Sequence, residues 1–257
     1  REAPTMGNIT EKEITKYLEN NIANFHNRRL ESLGKLKLKI VLERKNPYLF
    51  KAKNITTAGE LVKGLLDAHL SSQEEGIFGD FLEGLAVFIN GKVYGGHKSS
   101  SEGIDLEFER DSIVYIVSIK SGPNWGNSSQ VKKMIDNFKK AKQRRKAYAS
   151  KTNIVAVNGC CYGKLKKEDK CEYLKKCGQS FWSFISGKDN LYTEIIEPLG
   201  HKAKERNEEF MMEYAKVVNK FTKQFMDEFC STDGSKILWD KIVKLNSGSE
   251  TIKNKST

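Results

Sequence analysis

The sequence predicts an α/β fold of the α+β kind, a small sheet flanked by helices, and three observations predict it. Capping-box patterns followed by apolar residues at helical spacing open two amphipathic helices in the first third of the chain. Between residues 75 and 158 the apolar period changes, and the order reads helix, strand, strand, strand, helix, strand. At 257 residues, 38% of them hydrophobic, the chain can bury a sizeable core. Three regions follow, expected to fold as one compact domain: helical at 1–73, a mixed core at 74–200, and helical again at 201–257.

Thr10 and Glu13 form the first capping box, and Ile14, Tyr17, Leu18, Ile22 and Phe25 continue it as a helix to about Leu33. Over residues 35–43 lysines alternate with Leu, Ile and Val, which suits a longer helix or a strand, and Asn46-Pro47-Tyr48 breaks either. Thr57 and Glu60 open a helix with Leu61, Val62, Leu65, Leu66 and His69 on one face, where His69 reads as a core or interface histidine. Another helix is expected over 75–89, then a short strand at Lys92-Val93-Tyr94. Residues 104–108 alternate apolar and acidic side chains, 109–111 turn, and 113–119 are rich in β-branched residues, so the stretch reads as a hairpin. Residues 121–127 (SGPNWGN) form a loop, and Ser128 or Ser129 can cap the helix that runs to about Ala149. A buried strand is expected at 153–158, a loop or basic flap at 159–178, a short apolar helix from Phe181 and a further strand at 191–196. A long helix from near Ala203 carries Phe210, Tyr214, Val217, Val218, Phe221, Phe225 and Phe229, and the tail after Asn246 is polar.

The formal net charge of +11 favours a polyanionic partner, nucleic acid before an anionic membrane, although lysine used as a solubiliser has the same effect. No apolar run approaches the ~20 residues a bilayer requires. The opening residues lack a signal-peptide pattern, which predicts a cytoplasmic protein. Five cysteines, Cys160, Cys161, Cys171, Cys177 and Cys230, are an odd number without CxxC pairs, so reduced thiols are expected rather than disulfides or a zinc site.

The chemistry concentrates at Asp105, on the second expected strand, at Ser118-Ile119-Lys120, ending the third, and at Glu83 on the helix before them. Hydrolysis of a phosphodiester develops negative charge on the attacking and departing oxygens. Carboxylates on rigid elements can hold Mg²⁺ against that charge, and a lysine beside them can orient the nucleophile. Residues i and i+2 of a strand share a face, so Ser118 and Lys120 point one way and a hairpin sets Asp105 next to them. An Asp and a Lys on neighbouring strands also describe a structural ion pair. Glu107, two residues beyond Asp105, either shares its face or points to solvent.

The segment Gly103-Ile104-Asp105 … Val117-Ser118-Ile119-Lys120, within that element order, resembles the PD-(D/E)XK nuclease superfamily. The run EGIDLEFERDSIVYIVSIKSGPNWGNSSQVKK, with NPYLFKAKN, EEGIFGDFLEGLA, NIVAVNGCCYGK, FWSFISG and YTEIIEPLG, is similar to type II restriction endonucleases of the PmeII-like family. The resemblance covers about residues 46–247. It implies a nuclease core with a mixed central sheet and Mg²⁺-dependent hydrolysis of double-stranded DNA at a specific, palindromic site, leaving 5′-phosphates. It also implies a homodimer in a bacterial or archaeal cytoplasm, with a cognate DNA methyltransferase as genetic partner. It maps a metal-binding acid onto Asp105 and the catalytic lysine onto Lys120. The sequence departs from the pattern at Ser118, where the family carries a carboxylate, and Glu83 in Gly79-x-x-x-Glu83 is the favoured substitute, with Glu75, Asp80 and Asp136 in reserve. A structure-specific, resolvase-like nuclease and a catalytically dead DNA-binding protein are the competing readings.

Positive charge gathers on the helix after the loop, at Lys132, Lys133, Lys139, Lys140, Lys142, Arg144, Arg145 and Lys146 against Asp136. Lys132 and Lys133 are candidates for DNA phosphates, whereas 142–146 read as an ordinary solvated helix back. Asn124, Trp125, Asn127 and Gln130 are candidates for base or sugar contacts, or turn residues with a core Trp. Lys98, Ser99 and Ser100 precede Asp105 and can reach phosphate, as can a basic arm at 164–176. A faint similarity to enzymes cutting GGNCC-like sites points to a target of that kind. The apolar stripes of the first helix and of the helix from Ala203 supply material for a dimer interface, or pack on their own monomer, as at least one of them is expected to do.

Overall fold

The computed structural model describes residue 7 and residues 9–148 and 153–249. The polar tail beyond 249 and Ala149, the expected end of the basic helix, lie outside the described residues. The elements are α1 (Glu11–Gly34), α2 (Leu38–Arg44), α3 (Pro47–Ala52), α4 (Ala58–Tyr94), β1 (Leu106–Arg110), β2 (Ile113–Lys120), α5 (Ser128–Tyr148), β3 (Asn153–Cys160) and β4 (Leu174–Cys177). They continue as α6 (Gln179–Ser186), α7 (Leu191–Glu194), α8 (Ile196–Leu199), α9 (Ala203–Phe229) and α10 (Trp239–Ser247). The architecture is mixed α/β, as the sequence predicts: one four-stranded sheet, ordered β1-β2-β3-β4, among helices. β1 and β2 are antiparallel, while β2, β3 and β4 run parallel, with α5 crossing from β2 to β3.

The chain divides into two compact units, one of Arg1–Phe25 and Ile77–Ala203 and one of His26–Gly76 and Lys204–Thr257, and α1 and α4 contribute residues to both. The first unit holds the sheet, and the sheet is buried on both faces. On one face Leu106, Phe108, Val117, Ile119 and Val157 pack with Leu82, Leu85, Ala86 and Ile89 of α4 and with Phe181, Trp182 and Ile185 of α6. On the other, Val114, Ile116, Ile154 and Ala156 pack with Met134, Phe138 and Ala141 of α5. The strict alternation sends even-numbered residues of β2 and β3 to the α5 face, as expected of a strand covered on both sides.

Four local expectations are corrected. The two helices read over 57–89 are one, α4, because Ser72 returns its hydroxyl to the carbonyl of Ala68 inside the helix instead of ending it. Lys92-Val93-Tyr94 is the last turn of α4, where Val93 extends the buried stripe of Leu85 and Ile89, so two strands and not three precede α5. The missing strand is recovered in the basic flap, whose end forms β4. Residues 191–196 form the helical turns of α7 and the start of α8 rather than a strand.

The second unit is helical. Leu33, Leu38, Val41, Leu42, Leu61, Leu65 and Leu66 meet Phe210, Tyr214, Phe221, Phe225 and Phe229 of α9 in one core. The Tyr214 hydroxyl donates to Asp67, and Arg29 lies over the Phe210 ring at 3.7 Å while pairing with Glu74. Of the two readings of the α9 aromatic stripe, an interface or packing within the monomer, the second holds for these rings, which close this unit's core; Met211, Met212 and Met226 remain exposed on the same helix.

Candidate active site

The β1–β2 register decides the geometry. Leu106 pairs with Val117, and Asp105, one residue before the strand, donates its N–H to the carbonyl of that same Val117 at 2.8 Å. The Oδ2 of Asp105 accepts the N–H of Ile119 at 2.6 Å, which fixes the carboxylate against the strand that ends in Lys120. Ser118 and Lys120 lie on the α5 face of β2, as the i and i+2 spacing predicts, and the Asp105 carboxylate is bonded to Ile119 between them. Gly103 allows this approach. Its φ is +71°, and a Cβ there would stand 2.2 Å from Nδ2 of Asn137, a buried residue of α5.

Glu83 joins through Lys98. Lys98 Nζ lies 3.2 Å from Glu83 Oε1, and the hydrogen bond and charge of Glu83, followed by the charges of Asp105 and Asp80, raise the lysine's pKa above its ordinary value. Glu83 also lies close enough to Cys161 for its charge to add to burial in pushing that thiol up to about 12. Of the reserve acids, Asp80 is exposed within electrostatic reach of Lys98, Asp136 is exposed on α5, and Glu75 is exposed on the stretch of α4 that belongs to the helical unit.

Ser118 is 1% exposed, and its carbonyl accepts Nδ2 of Asn158 at 3.2 Å. Asn158, 0% exposed in β3, accepts the indole N–H of Trp125 at 3.0 Å through its side-chain oxygen Oδ1, and Lys120 Nζ rests over the Trp125 ring, 5.4 Å from its centre. The loop carrying Trp125 is held by Lys175, whose Nζ donates to the carbonyl of Pro123 at 2.7 Å. Sequence reasoning passed over Asn158; the signal available was a polar residue inside an otherwise apolar strand.

Glu107 is not solvent-facing. It is 7% exposed, accepts Ser99 Oγ, and takes Nε and Nη2 of Arg145 at 3.1 and 2.6 Å. Burial alone would push its pKa up; the Ser99 and Arg145 hydrogen bonds and the Arg145 charge outweigh that and hold it below the ordinary carboxylate value. Arg145, expected on a solvated helix back, instead ties α5 to β1.

The remaining polar candidates divide. Asn127 and Gln130 form a reciprocal capping box, Gln130 N–H to Asn127 Oδ1 at 3.1 Å and Asn127 N–H to Gln130 Oε1 at 2.9 Å, so Asn127 opens α5 where Ser128 or Ser129 was expected. Ser99 is engaged with Glu107, while Ser100, Asn124, Lys132 and Lys133 are exposed, Lys133 lying 3.5 Å from Glu102. In the basic arm, Lys176 pairs with Glu168, and Glu172 pairs with Lys139 of α5. The five cysteines are free thiols, Cys160 and Cys177 facing each other across β3 and β4.

Among the described residues no three His, Cys, Asp or Glu side chains cluster as metal ligands, and no helix is long and apolar enough to cross a membrane. A search of curated proteins finds no match. The family model of the type II restriction endonuclease EcoO109I matches residues 12–207, a span that contains the whole hairpin site and the sheet. That match supports the restriction-endonuclease resemblance and leaves the PmeII-like affiliation a resemblance only. The matched span takes in most of the chain, Asp105 and Lys120 included: the chain belongs to the EcoO109I family of type II restriction endonucleases and is a hydrolase acting on DNA.

Proposed function

We propose that the protein is a Mg²⁺-dependent, site-specific deoxyribonuclease that cuts both strands of double-stranded DNA at a short palindromic sequence, leaving 5′-phosphates. The observation that carries this reading is the Asp105 carboxylate bonded to Ile119, between Ser118 and Lys120 on β2, with Glu83 held by Lys98. Mg²⁺ takes hard oxygen ligands and needs only one or two carboxylates when water and substrate phosphate complete its shell. What supports the fit is the Lys98 ammonium resting against Glu83, with Asp105 and Asp80 in electrostatic reach of it. Asp105 and Glu83 would hold the ion, which when bound supplies Lewis-acid stabilisation of the phosphate and a more acidic water.

The chain's own contribution is positional. Two backbone contacts fix Asp105. Lys120 brings an ammonium from a strand end, where it can orient the attacking water and balance charge on a non-bridging oxygen as the bond from phosphorus to the 3′ oxygen breaks. Lys132 and Lys133, exposed early in α5, together with Lys98, Ser100 and Asn124, would meet phosphate and sugar, and Trp125, Asn127, Gln130 and Ser99 would act through the loops they hold. The enzyme is proposed to work as a homodimer in the cytoplasm, opposite a cognate DNA methyltransferase.

Plasmid DNA incubated with the protein and Mg²⁺ should give discrete bands, and a GGNCC-bearing plasmid is the first substrate to try. Asp105→Ala and Lys120→Ala should each lose ~100-fold or more in cleavage, about 3 kcal/mol of barrier, while gel shifts in Ca²⁺ keep most of the DNA affinity. Normal cleavage by either variant would remove that residue from the chemistry. The uncharged Ser118 favours a second reading, a DNA-binding protein on a nuclease fold, which predicts binding without cleavage under all metal conditions.

A further inference from the structure

Resting on the nuclease reading of Lys120, we propose that Trp125 is a positioning residue for that lysine, held in place by Asn158. Lys120 ends β2 on a side chain with four rotatable carbon bonds, beside the fixed carboxylate of Asp105. Left alone, such an ammonium is drawn into a cross-strand ion pair. Here it lies over an indole face at 5.4 Å, within the range where the ring quadrupole attracts a cation. The contact holds the ammonium away from Asp105 without neutralising either charge, which leaves both free for phosphate and metal.

The ring is itself fixed. Its N–H donates to Asn158 Oδ1, and the amide of Asn158 donates to the carbonyl of Ser118, two residues before Lys120 on the same strand. Asn158 also stands in register beside Ser118 in the β2–β3 ladder. Lys120, Trp125, Asn158 and Ser118 therefore form one closed loop of contacts: a shift of the indole moves the lysine, and the buried amide prevents the shift. Trp125 packs on the core between the sheet and α5, so the loop that follows the catalytic strand is anchored at its middle. Its place under Lys120 explains a tryptophan at this position without a contact to DNA.

The test separates positioning from DNA contact and from plain stability. Trp125→Leu should lower kcat about ten- to a hundredfold, the size of effect a small misplacement of a reacting group produces, with KM little changed. Trp125→Phe keeps an aromatic face and should recover most of the loss. A rise in KM at unchanged kcat, or wild-type kinetics in the leucine variant, overturns the proposal. A second measurement covers failure of the leucine variant to fold. The chain has three tryptophans, so the Trp125 indole N–H resonance can be assigned by its loss in Trp125→Phe. It should move in Lys120→Met, which keeps the aliphatic stem and removes the charge. An unmoved resonance overturns the contact. If the resonance moves but Lys120→Met still cleaves normally, the contact stands and the catalytic role of Lys120 is what fails.

Discussion

Ser118 carries no charge, so under the proposed Mg²⁺ chemistry a second acid would have to come from another element. Glu83 is the acid in contact with Lys98, which also lies in the field of Asp105 and Asp80, whereas Asp136 is exposed on α5. Glu83→Gln should therefore abolish most Mg²⁺-dependent cleavage and lower the affinity for Mn²⁺ measured by calorimetry, with Asp136→Asn close to wild type in both. The reverse pattern would move the ligand to α5. Glu107 has a different task. It is buried on the same strand, two residues from Asp105, yet its oxygens are taken by Ser99 and Arg145, which suits a strut and not a ligand. Because its folded pKa is depressed, its stabilisation is fully present above the ordinary carboxylate pKa and is lost as pH falls through the lower folded value. Glu107→Gln should cost about 1–3 kcal/mol at pH 7, toward the lower end because Arg145 is partly exposed. The gap between the variant and wild type in urea unfolding should close on acidification, and a gap independent of pH would place the contribution elsewhere.

At the scale of elements, the hairpin and the crossover were legible because their signals are local. β-branched density marks 113–119, alternation marks 104–108, and the tripeptide Ser118-Ile119-Lys120 sits where a strand must end. The length of α4 was not legible, since serines at 71 and 72 look like a break until Ser72 turns its hydroxyl back on Ala68. β4 was hidden in a lysine-rich flap because its four residues owe their state to pairing with β3 and not to their own pattern. The site divides the same way. Asp105 and Lys120 follow from spacing, but the Glu107–Arg145 strut and the Trp125–Asn158 link join residues 38 and 33 apart and have no local signature. The start of α5 offers a test in which local and functional roles compete. Asn127→Ala should cost about 1 kcal/mol by removing the cap, and Asn127→Ser, which keeps it, should restore stability. If Asn127 also touches a base, Asn127→Ser will be as stable as wild type and still lose cleavage. Full activity in the serine variant would confine this residue to capping.

At the scale of the whole molecule, cutting both strands of a palindrome requires two active sites related by the symmetry of the DNA, and a two-fold homodimer provides them from one chain. The rings of α9 are not available for that interface, because Phe210, Tyr214, Phe221, Phe225 and Phe229 close the core of the helical unit. A dimer of this chain would draw on surface outside that core, and a stable interface of ordinary size needs roughly 1,600 Å² in total. Subunit mixing reads the assembly through function, whatever surface it uses. If each protomer cuts one strand, wild-type protein exchanged with excess Asp105→Ala will sit mostly in mixed dimers with a single working site. Supercoiled plasmid should then accumulate as nicked circles, where wild type alone gives linear product, while the initial rate of cutting per wild-type subunit stays within about twofold. Sedimentation at micromolar protein, with and without DNA, should show a dimer in at least the DNA-bound state. Linear product at an undiminished rate under excess Asp105→Ala, together with a monomer in both conditions, would contradict the symmetric dimer and favour a nuclease that recognises DNA structure and cuts one strand at a time.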